Sequence, residues 1–201
     1  MQTPMAALKA ATAHKHDALE AIAHSKQIMD KTLTLPSFQQ LMVNQYRLHY
    51  LLEPALRLTL DQHAPELAYG QLRCKLDVLE QDLRDLGLPA AVLLDDLPLV
   101  HEISDLPSAL GTAYVLEGSS LGGNVIRRAL LQQPDIAAQC RFYYYGFYGE
   151  DLRQRWLDFT AFVNQALVTP DSEAAACQAA CDTFDLAARV FRMPLAVPTL
   201  N

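Results

Sequence analysis

No stretch of this sequence approaches the roughly 18 consecutive apolar residues of a membrane span, although 51% of its 201 residues are hydrophobic. The opening residues, MQTPMAALKAATAHKHDALE, hold no uninterrupted apolar core of signal-peptide length either. The expectation is a cytoplasmic protein with no membrane segment. Basic residues are scarce: 16 Lys and Arg stand against 23 Asp and Glu, a net charge of −7. The longest basic run is the pair Arg127-Arg128. Binding to a phosphate backbone relies on a positive surface that displaces counterions, so nucleic acid is excluded as a partner. Cys74, Cys140, Cys177 and Cys181 contain no CxxC pair, which fits reduced thiols rather than a disulfide framework or a zinc site. GxGxxG, GK[ST] and Glu-x-x-His are all missing, which argues against dinucleotide folds, phosphate loops and di-iron carboxylate bundles.

What the sequence does have is a period of 3.6. Apolar spacing and Pro/Gly punctuation predict helices over residues 5–24, 36–60 with a bend at Pro54, and 65–86 stopped by Gly87 and Pro89. Three more are expected over 107–130, 151–167 and 172–192, the last closed by Pro194 and preceded by a capping signal, Thr169 to Glu173. Residues 90–104 read as loop. Only 142–148, FYYYGFY, has strand-like content, and with no partner strand it reads as an aromatic loop packed on helices. An all-α single domain over residues 1–201 follows.

The fourth predicted helix is hollow. Gly118, Ser119, Ser120, Gly122 and Gly123 crowd its middle, and each helical Gly costs about 1 kcal/mol against Ala. Such a bare face lets a backbone touch a flat ligand such as a porphyrin, and the cluster favours a bend; close helix packing of small residues accounts for it equally. On the first helix Lys9, Thr12, His16 and Glu20 share one stripe, Lys9 and His16 being two turns or roughly 10 Å apart. An imidazole there could hold an iron, with the lysine at the reach of a porphyrin carboxylate and Glu20 fixing the ring tautomer. A solvated stripe with an i,i+4 pair is the alternative.

Together these two stretches resemble the haem oxygenase family, in particular its bacterial members. The pattern L-K-x-A-T-x-x-x-H-x-x-x-E, carried by Leu8, Lys9, Ala11, Thr12, His16 and Glu20, is similar to the family's proximal helix, and Gly118 to Gly123 to its distal helix. QYRLHYLLEPAL (45–56), LRDLGLP (83–89) and TFDLAARVF, which places Phe184 and Phe191, extend the similarity over most of the chain. The resemblance implies a helical fold with haem between the first helix and a kinked, glycine-rich distal helix. By it, His16 is the axial iron ligand, Lys9 contacts a propionate, and Thr12, Glu20 and Phe184 border the haem. Gly118, Gly122 and Gly123 pack over its other face. Ser119 departs from the aspartate of the animal enzymes and cannot titrate near neutral pH; Gly118, Ser119 and Gly122 are the catalytic candidates. Basic residues of the penultimate helix have no direct counterpart, and Arg155, or its neighbour Arg153, is the substitute propionate partner. The implied reaction cleaves haem with O2 to biliverdin, carbon monoxide and ferrous iron. Its electrons come from a ferredoxin or a ferredoxin reductase, docked on Lys15, Lys26 and Lys31, and a phytochrome is a potential bilin acceptor. The competing expectation, motivated by Ser119, is a non-catalytic haem or bilin carrier.

Overall fold

The computed structural model describes residues 2–88, 94 and 96–195, and among them none is in a strand. α1 (Pro4–Ile22) starts at Thr3, whose hydroxyl accepts the Ala6 N–H, with proline in the first turn where its missing donor is harmless. A left-handed His24 (φ 59°) turns the chain into a short α2 (Ser25–Met29), so the first predicted helix ends early and a separate turn of helix follows. α3 (Leu35–His63) runs unbroken through Pro54. Pro54 and Tyr50, whose carbonyl loses its donor, are both on the exposed side, where water satisfies the free oxygen.

The predicted helix over 65–86 is in fact three pieces: a 3₁₀ turn (Pro65–Leu67), α4 (Tyr69–Leu72) and α5 (Leu76–Asp85). The break has a tertiary cause. Arg73 and Lys75 are buried between α4 and α5, and the N–H groups of Lys75 and Leu76 turn onto the Glu53 carboxylate at 2.6 and 3.2 Å. Gly87 ends the segment with φ 70°. Pro89 and loop positions 90–93 and 95 lie outside the described residues; 94 and 96–104 carry no helix, as expected.

α6 (Leu106–Ser119) opens with an Asp105/Ser108 capping box and stops within the glycine-rich run. A 3₁₀ turn (Ser120–Gly122) links it to α7 (Gly123–Leu130), so the helix expected over 107–130 is interrupted where its propensity is lowest. After α8 (Pro134–Ala137) comes the aromatic loop. The Asp82 carboxylate accepts the N–H groups of Tyr143 and Tyr144, both at 2.8 Å, and pins it to α5. α9 (Leu152–Ala166) and α10 (Pro170–Val190), the latter with a Thr169/Ser172 capping box, complete the chain.

α3 serves two apolar clusters. Leu48, Leu52, Leu56 and Leu60 pack with α6, α9 and α10, while Phe38, Leu41, Met42 and Val43 pack with α5 and the aromatic loop; Phe191 touches both clusters. α6 and α10 cross with their backbones in contact. A methyl on Gly111 would stand 2.1 Å from the Ala176 carbonyl oxygen. No described helix is long and apolar enough to cross a membrane.

Candidate functional site

α1 supplies one wall of a cleft of about 840 Å³, with Lys9, Thr12, His16 and Glu20 along it at helical spacing. The end of α6 and the turn after it supply the other, with Gly118, Ser119, Leu121 and Gly122. Phe184 of α10, Gln45 of α3 and Tyr144 and Tyr145 of the aromatic loop also line it. Eight of the ten candidate site residues are thus brought together, with Phe191 beside them. Gly123 and Arg155 are not.

The glycines divide by role. A methyl on Gly118 would meet only Trp156, at 3.9 Å, and one on Gly122 only Ile126, at 3.7 Å. Among the described residues nothing else stands within 4 Å of either methyl. A methyl on Gly123 would lie 2.7 Å from the Tyr145 carbonyl oxygen, so this glycine lets α7 seat on the aromatic loop. Open space and close packing occur in the same run, at different positions. The serines finish α6: Ser119 Oγ donates to the Leu116 carbonyl at 2.8 Å and Ser120 Oγ reaches it at 3.5 Å, covering an oxygen that the helix end leaves free.

His16 lines the cleft with its side chain 57% exposed. Its Nε2 lies 3.8 Å from Glu20 Oε1 and its Nδ1 3.7 Å from Asp17 Oδ1, too long for hydrogen bonds, so its nitrogens stay available to a metal. Phe184 holds the ring edge-on, centroids 6.1 Å apart. Among the described residues, Lys9 is the one lysine or arginine on the wall. Thr160, also on the wall, has a buried hydroxyl oxygen with no hydrogen-bond partner. Position 155 is one residue off: α9 turns Trp156 and Thr160 toward the cleft, while the Arg155 carbonyl accepts a hydrogen bond from Arg73 at 3.2 Å.

Behind the distal wall lie groups that sequence reasoning passed over. The Tyr144 hydroxyl donates to Gln45 Oε1 at 3.1 Å and lies 3.2 Å from His49 Nε2. His49 Nδ1 is 2.7 Å from Glu53 Oε1, and the two side chains are 0% and 1% exposed. Burial raises the Glu53 carboxyl, but the hydrogen bond and charge of His49 and the Lys75 N–H outweigh it, holding the group below its ordinary range. One residue before Gly118, Glu117 receives Arg73 at 2.6 Å, Lys75 at 2.8 Å and the Tyr148 hydroxyl at 2.8 Å. Burial again pushes the carboxyl up, and the Lys75 and Arg73 charges bring it down further. The signal available in sequence was a His and a Glu four apart amid leucines, in HYLLE.

Beside the cleft, and sharing Leu121 and Trp156 with it, runs a groove bordered by Arg127, Arg128, Arg153 and Glu150. Of the lysines expected as a docking patch, Lys15 is instead paired with Asp185.

An imidazole facing bare backbone across a largely apolar slot, with a cation and an unpartnered hydroxyl on its wall, defines an all-α protein whose donor set fits a flat, iron-bearing, acidic macrocycle. Residues 3–193 match the family model described as Heme oxygenase, and the chain belongs to that family. A heme oxygenase of Xanthomonas campestris pv. campestris (strain 8004) is 35% identical over 107 residues, which is 53% of this chain. The chain spans 60% of the length of that curated relative. The fold matches a crystal structure of the NO- and CO-bound heme oxygenase from Neisseria meningitidis, with TM-score 0.70 and 20% identity over 98% of this chain and 96% of that one. It also matches the heme oxygenase from Leptospira interrogans, with TM-score 0.75 and 15% identity over 95% and 98%.

Proposed function

We propose that this protein cleaves haem, using O2 and external electrons, to biliverdin, carbon monoxide and ferrous iron. The observation that carries the proposal is the pairing of His16 with the uncovered backbone at Gly118 and Gly122 across one cleft. His16 ligates the iron. Glu20, whose Oε1 lies 3.8 Å from Nε2, is the neighbouring acceptor that would fix the tautomer of the ring. Lys9 holds the acidic edge of the macrocycle, Thr12 borders it, and Phe184 sets the ring of His16 against it.

Bound haem supplies the iron at which O2 is reduced. Gly118 and Gly122 keep side chains away from the face opposite His16. Ser119, able to anchor water though not to titrate near neutral pH, and the 118–122 backbone bring hydrogen-bond donors to that face. Leu121, Ile126 and Tyr145 give the same side of the cleft apolar surface. Electrons come from an acidic ferredoxin or ferredoxin reductase, for which Arg127, Arg128 and Arg153 offer a positive groove next to the cleft.

The test is haem reconstitution followed by ascorbate in air. Loss of the Soret band with growth of a bilin absorbance is expected; haem that binds and stays intact contradicts the proposal. Gly122→Val is expected to fold and to lose this turnover, because its side chain would occupy open cleft that the macrocycle needs.

A further inference from the structure

The groove beside the cleft is itself a concavity of about 750 Å³, the size of a small-molecule site. Among the described residues it shares only Leu121 and Trp156 with the cleft. Arg127 and Arg128 of α7 and Arg153 of α9 border it, with Glu150 as the one carboxylate among its described lining residues. We propose that this groove is a second binding site, which takes the iron-free, open-chain tetrapyrrole dicarboxylate as it leaves the cleft. This rests on the haem reading above and adds the place where the product of that reaction is received.

Charge complementarity carries the argument. Three guanidiniums against one carboxylate give the groove a charge of +2 on a chain of net charge −7, and the two propionates of a bilin bring −2. All three arginines are exposed, and among the described residues none of them is in an ion pair. Their forks are therefore open to carboxylates, which a guanidinium matches with two parallel hydrogen bonds. The other walls suit the body of such a ligand. Leu121 and Leu157 are 44% and 48% exposed, and Leu152 and Trp156 line the same groove. Large apolar side chains left open together and rimmed by charge mark a binding surface.

The groove favours the opened product over intact haem. None of its described lining residues is His, Cys, Met or Tyr, the side chains that ligate haem iron. Glu150 and Asn124 instead offer acceptors to the N–H groups that a tetrapyrrole exposes once its iron has gone, and the Asn124 amide offers a donor to its lactam oxygens. Leu121 belongs to the 3₁₀ turn between α6 and α7, on the wall that also carries Gly118 and Gly122. A product moving over the Leu121 and Trp156 seam passes directly from slot to groove. The acidic electron donor uses the same arginines before ring opening and the bilin uses them after it, so the two take the groove in turn.

The test is equilibrium dialysis of biliverdin against the haem-loaded protein, whose cleft is filled, with the Soret band and the bilin's induced circular dichroism followed together. Wild type should take up one biliverdin per chain while the Soret band keeps its intensity, and added salt should weaken the uptake. Arg128→Gln combined with Arg153→Gln should weaken it by about tenfold, the worth of one charge-assisted hydrogen bond. Leu157→Asp changes an exposed side chain outside the cleft; it should weaken uptake as well, with haem affinity within about twofold of wild type. Either variant decides if the other fails to fold. No uptake, uptake that displaces the haem, or uptake equal in wild type and variants overturns the proposal. If the wild type fails to bind haem, the haem reading falls and the groove is judged separately in the ligand-free protein. There, one biliverdin lost in the variants sustains the second site, and equal uptake overturns it.

Discussion

Gly118 and Gly122 separate two demands that a residue usually meets together. Each lowers helix preference by about 1 kcal/mol against Ala, and each faces open cleft rather than a packed neighbour. Gly118→Ala should therefore raise the melting temperature of the ligand-free protein by about 2–4 °C while weakening haem binding. Gly123→Ala should do the opposite to stability, because its methyl meets the Tyr145 carbonyl; equal shifts in calorimetry for the two variants would contradict this division. Glu117 makes a different prediction. Removing its charge with Glu117→Gln strands the buried Arg73 and Lys75, at a cost of about 3–5 kcal/mol in urea unfolding. Its folded pKa is depressed. The stability it contributes is present above the ordinary carboxylate value of about 4.3 and is lost as pH falls through the folded one, so the variant's acid-side stability slope should be shallower. The stripe of Lys9, His16 and Glu20 was legible in sequence because one helix's period fixes it. The Tyr144–His49 contact spans 95 positions, and no local pattern carries such a pairing.

Among the elements, the long amphipathic helices and the cap of α10, Thr169 with Ser172, followed from the sequence; the Asp105 and Ser108 box that opens α6 was not read there. Breaks caused by tertiary partners did not. The 65–86 segment has helical spacing, but the Glu53 carboxylate draws the Lys75 and Leu76 N–H groups out of the ladder. Arg155 does not line the cleft, whereas Trp156, one residue and about 100° further round the same helix, does; facing of this kind is set by packing. The α6–α10 crossing rests on Gly111, which reads from sequence as one more glycine in a helix. Gly111→Ala should cost about 1–3 kcal/mol through overpacking against the Ala176 carbonyl. A thermal melt unchanged from wild type would refute that close approach.

At the scale of the whole molecule, helices from both ends of the chain and its middle converge on one slot. α1 brings the imidazole, α6 and its following turn bring the bare backbone, α10 brings Phe184, and α3 runs beneath with the buried His49 and Glu53. The net charge of −7 is unevenly spread: Arg127, Arg128 and Arg153 border a groove next to the cleft, so electron delivery from an acidic donor should slow with rising ionic strength, as stopped-flow reduction would register. The central claim, that His16 and the Gly118–Gly122 backbone clasp one iron macrocycle, is tested most directly by absorption and paramagnetic resonance spectra of haem-loaded His16→Ala with and without added imidazole. The account predicts that the substitution abolishes the histidine-ligated signature and that free imidazole restores it. A wild-type spectrum in the variant before imidazole is added would contradict the account.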